Sequence, residues 1–255
     1  MGRIIKHILA DILRNKIMIA YLIFLLVASL SVFNLQDTAV KGLVSMLNII
    51  IFIVPLFSMV FATIYLYNSA EFIELLVSQP VRRTTIWSGL FVGLSVALVG
   101  SVIVGFGIPM LLYAMTAGGI TILLSGIFLT LIFTAISMLV VVSTRDKARG
   151  VGKIIMLWLF FSLIFDALVL LLIFQLADYP IEQPMILISF LNPIDMARIM
   201  ALLQLDISAL MGMTGAIFRD FFGSTLGIFI AIAAMLLWIA VPYLLSKAKF
   251  SRKDL

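Results

Sequence analysis

The sequence predicts an all-α membrane protein with six transmembrane helices and both termini inside. Three observations carry the class. Of 255 residues, 64% are hydrophobic and only 11% charged, whereas a soluble domain is about half apolar. The apolar residues form runs of roughly 18 or more, the length of a spanning helix. Those runs are continuous rather than alternating, which excludes a closed barrel.

Six runs qualify: Ile17–Phe33, Leu43–Tyr67, Ile86–Tyr113, Ile120–Ser143, Ile154–Leu176 and Gly223–Ser246. Threading the chain through them puts Arg3, Lys6, Arg14, Lys16, Arg82, Arg83, Arg145, Lys147, Arg149, Lys153, Lys247, Lys249, Arg252 and Lys253 on one side. Only Lys41, Arg198 and Arg219 fall on the other. Basic residues collect on the cytoplasmic side, so both termini are expected there, in a bacterial inner membrane. The net charge of +5 reflects this topology and carries no nucleic-acid reading. Cysteine is absent, which removes disulfides, thiolate metal sites and thiol nucleophiles. No small-x-small cleavage site follows the first run, so a cleaved leader is not expected.

Residues 1–16 come first. Ile4, Ile5, Ile8, Leu9, Ile12 and Leu13 share one helical face, and Arg3, Lys6, His7, Asp11 and Arg14 fill the rest. That pattern predicts an interfacial helix on the anionic leaflet. His7, the only histidine, is read as interfacial. Spans 1 and 2 occupy 17–67, with a kink expected at Pro55.

The cytoplasmic segment 68–85 contains Glu71-Phe-Ile-Glu-Leu-Leu-Val-Ser-Gln-Pro-Val-Arg-Arg83. Glu71, Glu74 and Ser78 form one helical stripe; Phe72, Ile73, Leu75, Leu76 and Val77 cover the other faces. Pro80 is expected to stop the helix, Arg82 and Arg83 to stay among headgroups, and Thr84 or Thr85 to cap span 3. Such an element suits docking of a soluble partner; the plainer reading is an ordinary interfacial helix.

Spans 3 and 4 occupy 86–143. Gly89 and Gly93 give a small-xxx-small contact face, and Gly105, Gly107 and Pro109 loosen the outer end of span 3. Gly118-Gly119 predicts a tight outer turn. The loop 144–153 ends in Gly152-Lys153, but Lys147 stands where a P-loop needs its first glycine and Ile154 where it needs Ser or Thr. It is read as a solvated basic turn, so the chain has no phosphate cradle of its own.

Span 5 (154–176) carries Asp166 near its middle. An intramembrane carboxylate is a functional candidate by default, lining a path or holding a proton. The alternative is a hydrogen bond to a neighbouring Ser or Thr. Residues 177–222 form one outer segment. Arg198 and Asp206 cost about 2.5–3.5 kcal/mol each at a bilayer centre, which argues against a seventh span at 196–212. Short helices at the outer interface, or re-entry without crossing, are expected instead. Asn192 as cap, Pro193 at the first helical position and Asp195 in the first turn mark one helix start. Arg198 can pair with Asp195, and this pair is a candidate outer-gate latch. Met196 and Met200 are four residues apart, and thioethers suit Cu(I). They equally suit an apolar surface, so no metal site is assigned. Span 6 (223–246) and a tail (247–255) complete a single permease domain. No hydrolytic constellation is visible, because His7 has no convincing acid partner.

The 71–83 pattern followed by Gly89, the amphipathic start and the long outer segment before the last span resemble the ABC-2-type transporter permeases. More narrowly, Leu191-Asn-Pro-Ile-Asp-Met-Ala-Arg-Ile199 and Ser78-Gln-Pro-Val-Arg-Arg83 resemble the permeases of copper-processing systems that mature nitrous oxide reductase. A Gly-Thr pair frequent near the start of the family's segment is missing here, and Leu90 stands where a Lys is frequent. The resemblance implies the ABC-2 (type V) fold and a coupling helix built from Glu71, Phe72, Glu74, Leu75, Ser78, Pro80, Arg82 and Arg83. It implies an outer gate around Asn192, Pro193, Asp195 and Arg198. It implies a second copy of the chain and two cytoplasmic ATPase subunits that carry ATP and Mg, with no cofactor on this chain. A periplasmic copper-delivery accessory protein and membrane lipid complete the partners. Other readings are an ABC-2 exporter of a lipid, drug or peptide and, further off, an ion-coupled secondary transporter using Asp166.

Overall fold

A computed structural model of the chain describes residues 2–175, 182–205 and 225–252. Among these all regular structure is helical, with six helices long and apolar enough to cross a membrane. Span 1 is Lys16–Leu35, span 2 Ala39–Asn68, span 3 Arg83–Tyr113, span 4 Ala117–Ser143, span 5 Lys147–Gln175 and span 6 Thr225–Arg252. A helix at Gly2–Arg14 precedes them, a loop helix at Ala70–Val77 joins spans 2 and 3, and Glu182–Ser189 and Pro193–Gln204 lie between spans 5 and 6.

The spans start where the sequence supplies a cap. Asn15, Thr38, Thr116 and Asp146 each accept a backbone N–H from the first turn of spans 1, 2, 4 and 5, satisfying donors a helix leaves open. Three expectations fail here. Span 3 begins at Arg83 with Arg82 at the cap and no side-chain capping bond, so Thr84 and Thr85 lie inside the helix. The basic loop shrinks to Thr144–Asp146: Asp146 caps span 5, and Lys147–Lys153 become its first turns. Likewise span 6 runs on to Arg252, so most of the tail is helix.

Span 4 is the most buried of the six and packs against spans 2, 3 and 6. Its small residues allow this: Gly126 lies against Val102 and Ile50, and Ser137 Oγ donates to Met59 O of span 2 at 3.2 Å. Spans 1, 5 and 6 present Phe24, Leu171, Phe174 and Leu237 outward, as lipid-facing helices do. Span 2 runs through Pro55 without interruption. Span 3 contains a π-helical turn at Ile103–Gly107, where Ser29 Oγ of span 1 donates to Gly105 O at 2.6 Å. The glycines expected to loosen this span thus form a π turn into which span 1 reaches.

The helix Gly2–Arg14 is held by the spans. Ile8 and Ile12 are fully buried, Ile8 rests on Gly93 of span 3, and Tyr65 Oη donates to Asp11 Oδ2 at 3.1 Å. Gly93 therefore serves contact with this helix. Gly118 and Gly119 are not a turn: they form the first turn of span 4, where Leu205 closes over Gly118 and Gly119 N donates to Thr116 Oγ1.

Candidate functional site

Two regions carry the polar design. The first is the end of the molecule where most described Lys and Arg residues lie. Here the loop helix Ala70–Val77 buries Ile73 and Leu76 against the spans. Glu71 and Glu74 face out, and Leu75 is 65% exposed beside them. Phe72 is half-buried, its ring 5.5 Å from that of His7. The helix closes on Ser78, whose N–H donates to Glu74 O and whose hydroxyl donates to Leu75 O. Pro80 stands two residues beyond that cap, in a tight turn where Val81 N donates to Gln79 O. It bars continuation rather than ending the helix itself. Arg82 is exposed and Arg83 half-buried. A cleft of about 380 Å³ opens beside the loop helix, between Glu74 and Ile73 on one wall and Arg145, Trp87 and Phe250 on the other.

The second region is a re-entrant hairpin between spans 5 and 6. Its tip, Phe190–Asn192, separates the helices Glu182–Ser189 and Pro193–Gln204. Asn192 is fully buried and works twice: its Oδ1 accepts from Ile194 N at 3.0 Å, and its Nδ2 donates to Phe161 O at 2.9 Å. Phe161 is fourteen residues from either end of span 5, inside a second π turn at Phe160–Ile164. From the other side Trp238 Nε1 donates to Phe190 O at 3.0 Å, and Trp238 is at the middle of span 6. The tip is thus pinned at the midpoint of two spans. From there Pro193–Gln204 climbs 12 residues, about 18 Å, to where Leu205 covers Gly118. That is somewhat more than half of a bilayer core of about 30 Å. Non-helical backbone at this depth needs protein partners, and Asn192 and Trp238 supply them.

Halfway up the hairpin, Asp166, Asp195 and Arg198 meet. Arg198 Nη1 donates to Asp166 Oδ2 at 2.8 Å and to Asp195 Oδ1 at 3.1 Å. The residues expected as a separate intramembrane acid and a gate pair form one triad, at the edge of a cavity of about 240 Å³ with apolar walls. Asp166 pairs with this arginine, not with a Ser or Thr. Met196 is fully buried and Met200 half-buried on the inner face of the same helix. Among the described residues no cluster of three His, Cys, Asp or Glu could hold a metal ion. Asp206, Met211, Met213 and Arg219 lie outside the described residues. Trp87 and Trp238 escaped the sequence reading; a tryptophan inside an apolar run, with an N–H that needs an acceptor, was the available signal.

Six spans, an exposed helix in the first loop at the basic end and a re-entrant hairpin before the last span define a multi-pass membrane permease. The chain belongs to the ABC-2 transporter family: the family model described as ABC-2 family transporter protein matches residues 3–255. It is similar to the probable ABC transporter permease protein NosY of Stutzerimonas stutzeri, 26% identical over 269 residues, covering 96% of this chain and 95% of that protein. It is also similar to the protein of the same name from Pseudomonas aeruginosa, 28% identical over 276 residues, covering 97% and 96%.

Proposed function

We propose that this chain is the membrane lever of an ABC-2 complex in the bacterial inner membrane, paired with a second copy and driven by two cytoplasmic ATPase subunits that carry ATP and Mg. The basic end faces the cytoplasm, by the preference of Lys and Arg for that side. One observation carries the reading. The loop helix is wedged between spans 2 and 3 by Ile73 and Leu76 yet offers Glu71, Glu74 and Leu75 outward. A helix held this way passes a push to the spans instead of yielding to it. The relatives' name and the two motifs at 78–83 and 191–199 support copper-site maturation of nitrous oxide reductase as the process served, with an accessory protein on the outer face receiving the movement.

Co-expression with the cognate ATPase tests this. A stable complex of two permeases and two ATPases is the expected product, with ATP turnover only when both are present. Nucleotide hydrolysis by this chain alone in nanodiscs overturns it. Loss of nitrous oxide reductase copper loading on deletion of the chain supports the narrower role; unchanged loading removes it and leaves an exporter.

A further inference from the structure

The loop helix joins two spans that both pack on span 4 but whose further polar ties run to different partners. Span 2 is tied to span 5. Lys147 Nζ donates to Asn68 Oδ1 at 2.8 Å and Trp158 Nε1 to Phe52 O at 3.1 Å, while Tyr67 Oη donates to Thr144 O, in the short loop that leads into span 5, at 2.9 Å. Gly150 makes this possible, because any Cβ there would collide with the Tyr67 ring. Span 3 is tied to span 6. Trp87 Nε1 donates to Ser246 Oγ at 3.0 Å, the hydroxyls of Ser88 and Tyr243 lie 2.7 Å apart, and the Trp87 ring stacks on Phe250 at 4.3 Å.

At mid-membrane the two pairs converge on the hairpin tip. Span 5 holds it through Phe161 and Asn192, span 6 through Trp238 and Phe190. Each arm also has a weak point beside its tip contact. Phe161 lies in the π turn of span 5, and Pro242 follows Trp238 by one turn in span 6, removing a backbone donor there.

We propose that the spans 2–5 and 3–6 pairs are two arms of a differential lever, and that the tip Phe190–Asn192 moves by the difference between them. Trp238 and Asn192 are the transmitting residues, and Trp87–Ser246 fixes the second arm to the coupling end. A hydrogen bond inside lipid has no water to replace it, so the tip stays on its two carbonyl contacts while apolar faces slide. The pull then reaches Pro193–Gln204 and its far end at Gln204. The inference rests on the loop helix being the ATPase contact.

The chain has no cysteine, so paired spin labels can be placed on it by cysteine substitution and attached before assembly of the full complex in nanodiscs. Gln204→Cys with Leu112→Cys reports the far end, and Arg149→Cys with Ala248→Cys the basic ends of spans 5 and 6. In the otherwise unaltered protein, trapping the ATPases closed with a non-hydrolysable ATP analogue shifts both distances. Trp238→Phe keeps the basic-end shift and loses about half or more of the far-end shift. A full far-end shift in Trp238→Phe overturns the lever. No basic-end shift before any change at Trp238 overturns the reading of the loop helix, and the lever with it. Should Trp238→Phe not assemble, Ser246→Ala decides: both shifts shrink if the second arm runs through Trp87, and an undiminished far-end shift sinks the proposal.

Discussion

Arg198 Nη1 donates to Asp166 Oδ2 at 2.8 Å, fastening the rising helix of the hairpin to span 5 across 32 positions of sequence. The same nitrogen also serves Asp195 at 3.1 Å. One guanidinium thus holds two carboxylates, Asp166 on span 5 and Asp195 on its own helix. Because the three side chains keep 14–30% of their exposure, the pair is worth less than a fully buried one.

Removing the cation should hurt more than removing one anion. Arg198→Leu leaves Asp166 and Asp195 facing each other without a counter-charge, while Asp166→Asn leaves the Arg198–Asp195 bond in place. We expect Arg198→Leu to destabilise the purified chain by about 2 kcal/mol and Asp166→Asn by about 1 kcal/mol or less. Thermal unfolding in detergent checks the order. An Asp166→Asn loss larger than that of Arg198→Leu contradicts the geometry.

At the hairpin tip, Asn192 needs both ends of its amide. Alanine loses the cap, about 1 kcal/mol, and leaves the Phe161 carbonyl without its side-chain donor, a further 1 kcal/mol or so. Aspartate is as good a cap in general, but it cannot donate and sets a negative charge against Phe161 O, 2.9 Å away. Asn192→Asp is therefore expected to be worse than Asn192→Ala. Hydrogen exchange across Pro193–Gln204 reads the ranking.

Much of this was legible in the chain itself. Run length gave the six spans, and the Asn192-Pro193-Asp195 signal gave a helix start that the structure keeps. What escaped was depth. Nothing local to Asn192 says that its Nδ2 ends at Phe161, 31 residues away, because that contact depends on how the hairpin folds back between spans. Asp166 and Arg198 looked unrelated for the same reason. The basic loop is shorter than its composition predicts, because Asp146 as cap and Gly150 as the seat of Tyr67 override the preference of Lys and Arg for water. Interfacial charges can extend a spanning helix when their heads reach water.

The loop helix makes a separate prediction about assembly. Glu71 and Glu74 are exposed, so Glu71→Lys with Glu74→Lys should leave expression and insertion unchanged. It should cut co-purification of the cognate ATPase roughly tenfold or more, since like charge opposed across an interface costs several kcal/mol. Pull-down at two salt concentrations measures this, and part of the loss should recover as salt screens the repulsion. Unchanged recovery of ATPase at low salt would remove this helix from the interface.

Gly93 and Gly100 offer a paired test of how the N-terminal helix is held. A Cβ at Gly93 would stand 2.7 Å from the Ile8 Cγ2 methyl and 3.1 Å from its Cβ, and Ile8 is 1% exposed with no room to swing away. At Gly100, in the same span, nothing lies within 4 Å. Gly93→Val should therefore lower stability by about 1–3 kcal/mol through overpacking and speed hydrogen exchange throughout Gly2–Arg14. Gly100→Ala should be neutral or stabilise by up to about 1 kcal/mol, because alanine favours a helix interior. Exchange mass spectrometry with thermal unfolding in one detergent separates the two. If both variants loosen Gly2–Arg14 alike, span 3 is not what seats that helix; if Gly93→Val loosens it alone, the contact between Ile8 and Gly93 is what keeps it in place.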